Sequence, residues 1–369
     1  MKIKRNIFAL FFALVLLSLT GCAENSQLHQ KLIVQGIGLD NSDEGYVITV
    51  QALDFKNPAK EDEPSTKILE IKGSSLVSAL ENISKQTSLT PVYSQNMIII
   101  LSESIVKNNG VNNFMDFFIR HFEARPKVKI CVVKDKASDY LKIKTENNKI
   151  VKAKDIHDLI PNNLNSDVLH FMGNLKSGIS DSYLSWIDTE NQNGLKQVHL
   201  KGVGIFLEDN LIKFIDEEEA VAFMVLKSVP NFGTFTVENE NIGKIMCSPE
   251  KSEVKTKVEL EEDIPKYIVN LNLSISVFSM SDKLEFNSDE EIKNNIGEEF
   301  SKKITTLCSA AIENFLEQGI DVFDFGKLLK KSYPSYFKKI ENEWKNHLKK
   351  CRYEITSKVN VIITGKEPI

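Results

Sequence analysis

The sequence predicts an α+β protein: several mixed α/β domains, mixed sheets flanked by helices, and a last domain with a long amphipathic helix and an edge-type C-terminal strand. The prediction rests on three features. Apolar or alternating segments at 32–39, 46–53, 97–101 and 128–133 are interleaved with helix-periodic segments at 76–83, 114–122 and 137–143. Beyond residue 288, apolar residues recur at helical spacing as far as Phe315. The final stretch alternates, with Tyr353, Ile355, Val359, Val361 and Ile363 on one side and Ser357 as the lone polar member.

The elements follow in order. The opening residues combine Lys2, Lys4 and Arg5 with an uncharged apolar run over 7–19 and then Leu19-Thr20-Gly21-Cys22. That is the build of a secretory signal peptide, and the run is too short to span a bilayer. The tetrapeptide resembles a lipobox, in which the cysteine sulfur is the nucleophile that receives diacylglycerol. The competing reading is an ordinary signal peptide with a chance cysteine, and the position of the motif at the end of the apolar run speaks against it. Residues 1–21 are therefore expected to be a lipoprotein signal peptide, with lipid on Cys22 (S-diacylglycerol and N-acyl) and a polar tether over 23–30.

Strands at 32–39 and 46–53 flank a turn-rich loop, Asp40-Asn41-Ser42-Asp43-Glu44-Gly45. Ser74 or Ser75 is placed to cap a helix whose apolar face is Leu76, Leu80 and Ile83. The phenylalanines at 114, 117, 118 and 122 read as one core-facing helix stripe. Residues 146–197 are polar and Asn-rich, with short helical pieces near His157 and Leu169. We place a domain junction at their end, around 191–196. This gives an N-terminal α/β domain over 22–195 and a C-terminal one over 196–369, with a further division near 250 left open.

A hairpin at 198–207 and 211–215 leads to a helix over 220–227. Asp216 to Glu219 open it, because acidic side chains face its positive dipole end. Strands are expected at 234–237 and over 254–278, interrupted at Asp263-Ile264-Pro265. Ser288 with Glu291 forms a capping box for the long helix, and Gly319 closes it. A short helix follows at 324–331. Pro334 suits the first position of the next helix, which buries Phe337, Ile340, Trp344 and Leu348.

Composition bounds the function. The 369 residues are 42% hydrophobic and 26% charged, values of a globular chain. Without the basic leader the formal charge is −8, which argues against nucleic-acid binding. No basic tract stands out that would hold an anionic membrane surface, so anchoring falls to the lipid. Cys131, Cys247, Cys308 and Cys351 allow two disulfides outside the cytoplasm. Cys131 in an apolar strand pattern and Cys308 on the apolar side of a helix favour buried free thiols instead.

Candidate chemistry is sparse. Residues 40–45 faintly echo a calcium loop, but the twelfth place holds Gln51, within a strand pattern, so a plain hairpin turn is the better reading. Gly36-Ile37-Gly38 and Gly202-Val203-Gly204 lack the third glycine or Lys-Ser/Thr of phosphate loops; glycines in strand patterns mark bulges or close backbone approach. The six histidines show neither HExxH nor HxH spacing, and no GxSxG elbow occurs. A Cys–His nucleophile has nothing flanking a cysteine to support it. We expect no metal, no cofactor and no catalytic residue.

Several segments together carry a resemblance: the Cys22 lipobox, Ile33-Val34-Gln35-Gly36-Ile37-Gly38-Leu39-Asp40, Tyr46-Val47-Ile48-Thr49-Val50-Gln51, residues 98–104, 118–141 and 202–226, Gln318-Gly319-Ile320-Asp321, Phe325-Gly326, Tyr333-Pro334, Trp344 and the final strand to Gly365. In this order they resemble the Ger(x)C family, the C subunits of germinant receptors in endospore-forming bacteria. This chain departs from the family in having Ala23-Glu24 where Trp-Asp is usual. It also has Tyr93-Ser94-Gln95-Asn96 where a His is frequent. The resemblance implies a non-enzymatic lipoprotein on the outer leaflet of the spore inner membrane. It would sit beside a polytopic B subunit and an A subunit with membrane spans, and be needed for nutrient-triggered germination. The alternative is the solute-binding lipoprotein of an ABC transporter, which should show two similar lobes around a cleft.

Overall fold

The computed structural model describes residues 30–43, 45–55, 64–108, 110–120, 127–239, 243–280 and 289–363. The signal peptide, Cys22, most of the tether, Phe122, Ser288 and Gly365 lie outside the described residues.

The first layer begins with β1 (Lys31–Ser42), β2 (Gly45–Asp54) and β3 (Ser65–Gly73), an antiparallel meander. Helix α1 (Leu76–Thr87) follows; the Ser75 hydroxyl accepts the Ser78 N–H at 3.1 Å, and Leu76, Leu80 and Ile83 are buried as expected. The chain continues through β4 (Thr90–Val92), β5 (Ile98–Ser102), α2 (Glu103–Asn108), α3 (Asn112–Arg120), β6 (Lys129–Val133), α4 (Ala137–Leu141), α5 (Ala153–Leu159) and α6 (Val168–Ser177). It then enters β7 (Ser182–Gln192), β8 (Leu195–Leu207) and β9 (Asn210–Ile215). These strands form one nine-stranded mixed sheet in the order β3-β2-β1-β5-β6-β7-β8-β9, with β4 also beside β1. The contacts β1–β5, β5–β6 and β6–β7 are parallel, so helical crossovers cover both faces.

Strands β5 and β6 show why their sequences are continuous apolar runs. Ile99, Leu101, Ile130 and Val132 pack under α1, α2, α3 and α6, while Ile98, Ile100, Cys131 and Val133 pack under α4 and α5. Phe114 and Phe118 are core, as the helical stripe predicts.

The expected junction around 191–196 is the turn of the β7–β8 hairpin, with Asn193 and Gly194 at positive φ. The sheet runs across residue 195 and ends only at Ile215. Strand β7 escapes the sequence reading because its outer half, Glu190 to Gln192, is exposed and polar.

Helix α7 (Glu217–Leu226) links the two parts. It is apolar all round from Ala220 to Val225 because it is buried on every side. Val221, Ala222 and Val225 belong to the core that follows, whereas Phe223 and Met224 pack with Tyr183, Val203, Ile205 and Phe315.

The second layer is a four-stranded sheet, β10-β11-β12-β13. Its strands are β10 (Phe235–Asn239), β11 (Gly243–Glu261), β12 (Ile264–Met280) and β13 (Arg352–Ile363). Residues 243–253, left unassigned by the sequence pattern, complete β11; its outward row, Lys251, Glu253, Lys255, Lys257 and Glu259, is charged. Glu262 and Asp263, both at positive φ, make the two-residue hairpin turn before β12. Between β12 and β13 lie α8 (Asp289–Gln318), α9 (Phe325–Ser332), α10 (Pro334–Ile340) and α11 (Trp344–Leu348).

Helix α8 buries Ile292, Ile296, Phe300, Ile304, Ala311 and Phe315. It ends as expected at Gly319 (φ 70), where the Ile320 N–H reaches Phe315 O at 2.9 Å and the Gly319 N–H reaches Leu316 O at 2.9 Å. β13 is an edge strand parallel to β12. Its one polar inward residue now has a reason: the Ser357 hydroxyl meets Ser301 Oγ at 2.5 Å and Thr305 Oγ1 at 2.8 Å, where small side chains on α8 approach the strand closely. Among the described residues, no helix is long and apolar enough to cross a membrane.

Candidate functional site

Several of the segments that carry the family resemblance meet in two buried polar joints. The first is built on β1. An added Cβ at Gly36 would lie 2.9 Å from Ala153 Cβ and 3.2 Å from Leu141, and one at Gly38 would lie 3.2 Å from the Ala137 backbone. The two glycines are therefore notches that admit α4 and α5 onto the strand. One step on, Asp40 is 5% exposed and accepts the Ala137 N–H at 2.7 Å and the Ser138 N–H at 2.9 Å. Burial raises its pKa, and these backbone donors oppose the rise. Gln51, fully buried on β2, donates to Leu141 O and Val151 O and accepts the Ala153 N–H. Asp40, Asn41 and Ser42 complete β1, which pairs antiparallel with β2, Ser42 opposite Gly45. The acidic residue at position 40 caps a helix.

The second joint links the two layers. Asp321, 2% exposed, accepts the Phe325 N–H at 2.9 Å, the Gly326 N–H at 2.7 Å and the Trp344 indole N–H at 3.3 Å. Its own N–H donates to Asp181 Oδ2 at 2.8 Å, and the Asp181 N–H donates back to Asp321 O at 2.8 Å. Lys345 holds the other Asp181 oxygen at 3.1 Å. Burial pushes the Asp321 carboxyl up to about 6, against the pull of the Gly326 and Phe325 N–H groups. Gly326 has no room for a side chain: a Cβ would meet Trp344 Nε1 and Ile179 at 2.6 Å each. Tyr267 stacks on Phe325 at 4.2 Å and donates its hydroxyl to Phe325 O at 3.0 Å. Trp344 is buried against Phe337, in the phase the helix pattern predicts.

The structure thus brings together residues that the sequence reading named separately, and adds Asp181 and Lys345, which it missed. Asp181 lies in Ser180-Asp181-Ser182 within the polar stretch that gave no clear pattern. Its one local signal is the apolar strand that starts at Tyr183.

In both joints the carboxylates are occupied by backbone donors, an arrangement that fixes helices in place. Among the described residues, no group of three or more His, Cys, Asp or Glu side chains gathers to hold a metal ion. The second glycine pair packs like the first: a Cβ at Gly202 would lie 2.0 Å from Ile215 O. All four cysteines of the described residues are free thiols; Cys131, Cys247 and Cys308 are buried and Cys351 is half-buried. Burial pushes the Cys247 thiol up to about 12, and Cys351 likewise to about 12 with a further push from Asp321. Such thiols stay protonated and weakly reactive. The acidic start of α7 is more than a solvated face: Glu218 pairs with Lys303 of α8 at 2.5 Å, and Glu219 with Lys213 at 3.0 Å.

Comparison with known proteins matches the whole of this architecture. The family model of the spore germination protein N-terminal domain covers residues 25–188, and that described as spore germination B3/GerAC like, C-terminal, covers residues 201–365. Two Bacillus subtilis (strain 168) proteins are similar over nearly their full length. Spore germination protein KC is 20% identical over 98% of this chain and 97% of its own. Spore germination protein B3 is 20% identical over 97% and 98%. The crystal structure of the GerBC protein has the same fold, with a TM-score of 0.58 and 17% identity over 91% of this chain and all of that one. The two matched segments together span most of the sequence, in the order the motifs predict, and the chain belongs to the Ger(x)C family of spore germination proteins.

Proposed function

We propose that this protein is a non-enzymatic lipoprotein subunit of a spore germinant receptor, required for germination triggered by nutrients. Lipid on Cys22 would hold it to the outer leaflet of the spore inner membrane, beside the A and B membrane subunits. The observation that carries the reading is the full-length, collinear match to spore germination proteins. The joints add to it. The most distinctive acidic residues, Asp40 and Asp321, are saturated by backbone N–H groups, and the chemistry they perform is to hold helices on sheets. A subunit of this kind acts by biasing the states of its membrane partners, which needs an interface and no catalytic group. The solute-binding alternative calls for two similar lobes, whereas the two sheets here differ in strand number and connection.

The test is a deletion strain complemented with wild type or with Cys22→Ala, in a background without redundant receptors. Dipicolinate release should fail with one set of nutrients and persist with a trigger that bypasses receptors. Mass spectrometry of the mature wild-type N-terminus should show a lipidated Cys22. Normal release with every nutrient would sink the receptor reading, and an unmodified Cys22 would sink the anchor alone.

A further inference from the structure

The charge of this chain is unevenly placed. From Phe325 to Arg352 the basic residues outnumber the acidic ones so far that the segment carries +7, while the chain from Cys22 onward carries −8. The segment has no long basic run, because its lysines come singly or in pairs between apolar positions; the linear sequence therefore shows no tract. Folding sorts them. Phe325, Leu329, Phe337, Ile340, Trp344 and Leu348 turn inward, and the lysines are left on the outside of α9, α10 and α11. Lys330, Lys331, Lys338, Lys339, Lys349 and Lys350 are all exposed. None of these six has a carboxylate at ion-pair distance among the described residues, whereas Lys327, Lys345 and Arg352 pair with Asp324, Asp181 and Glu261.

We propose that this helical lobe docks on an anionic lipid surface. The alternative occupant is an acidic protein, and the make-up of the lobe favours lipid. Stable protein interfaces are built on aromatic residues, Met and Arg, and are depleted in Lys. Here the unpaired positive charge is all lysine and outnumbers the two exposed carboxylates, Glu341 and Glu343, while the three helices leave no large apolar side chain fully exposed. A lysine ammonium is a hydrated point charge on a flexible stem. A set of them suits a layer of phosphate headgroups, where each adds its own increment and no fixed geometry is demanded. The absence of an exposed wedge in these helices means contact by charge alone, without insertion, and a strong dependence on salt. The inference stands apart from the lipid on Cys22, since an electrostatic face and a lipid anchor contribute separately.

The experiment uses the chain from residue 23 onward, which keeps every described residue and cannot be lipidated. It is floated with vesicles of phosphatidylglycerol and phosphatidylcholine, or of phosphatidylcholine alone. Binding is expected to the anionic vesicles only, and should be lost between about 0.1 M and about 0.5 M salt. Replacing Lys330, Lys331, Lys338 and Lys339 by Glu should weaken it at least about tenfold, and by Gln by a smaller factor. The same four-charge reversal at Lys251, Lys255, Lys257 and Lys358 on the second sheet should leave most of it, with melting curves unchanged in each variant. Three results would overturn the proposal: no binding to the anionic vesicles, which would leave the lobe to an acidic protein partner; equal binding to neutral vesicles; or equal loss in both reversal variants, which would reduce the effect to net charge.

Discussion

Asp321 condenses the logic of this protein into one side chain. It is buried, accepts three N–H donors, and ties a helix, an indole and the opposite layer together. Its folded pKa of about 6 against an ordinary 3.8 means that the folded state binds this proton more tightly than the unfolded chain does. The stability from that preference is complete below about pH 4 and is lost as pH rises through about 6, by up to ~3 kcal/mol. Asp321→Asn removes the titration. Its urea midpoint should fall less than that of the wild type between pH 4 and pH 7, on top of a constant offset for the lost acceptor. Parallel curves would mean that Asp321 ionises without cost and that the joint is wetter than described. The sequence shows this residue as part of a Gly-Ile-Asp motif after a long helix. Its partner Asp181 lies 140 positions earlier in a polar stretch, and no local pattern in either segment points to the other.

At the scale of elements, the glycine notches of β1 set where helices lie. Gly36→Val would drive a branched side chain into Ala153 and Leu141, at a cost of ~1–3 kcal/mol. Ala153→Gly in the same chain should recover part of the loss, and thermal melts of the two single variants and the double variant would measure it. Full additivity would mean that the clash is relieved elsewhere. The strand pattern and the notch reading of Gly36 and Gly38 were legible in the sequence, as were a helix cap at Ser74 or Ser75, the cap at Gly319 and the inward phase of Trp344. The elements that escaped it are polar for a physical reason. The outer half of β7 is exposed and polar on both sides, and the unread start of β11 has Ser248, Glu250 and Ser252 at its inward places and two register shifts, so the apolar period of two is broken there.

For the molecule as a whole, the two family segments are built into one another. The sheet passes the 195/196 boundary, α7 is shared between cores, and the Asp181–Asp321 clasp joins the layers. A fragment of residues 23–195 should therefore show no cooperative melting, while the full chain melts in a single transition. A sharp transition in the fragment, by calorimetry, would contradict this. The order of elements and the mixed sheets could be read from sequence; the way one sheet draws strands from both segments could not, because sheet continuity depends on pairing between segments that look alike at every candidate boundary. The β7–β8 hairpin also bears on ancestry. Its eleven pairs, from Ser182↔Phe206 to Gln192↔Leu195, straddle the seam between the two family segments. A recombination event at that seam would join strands that had diverged apart, leaving mismatched rungs in the middle of a sheet. Lineages of such genes are expected to inherit their two segments together, and chimeras made to exchange one for the other should tolerate a crossover beyond Ile215 better than one at the seam.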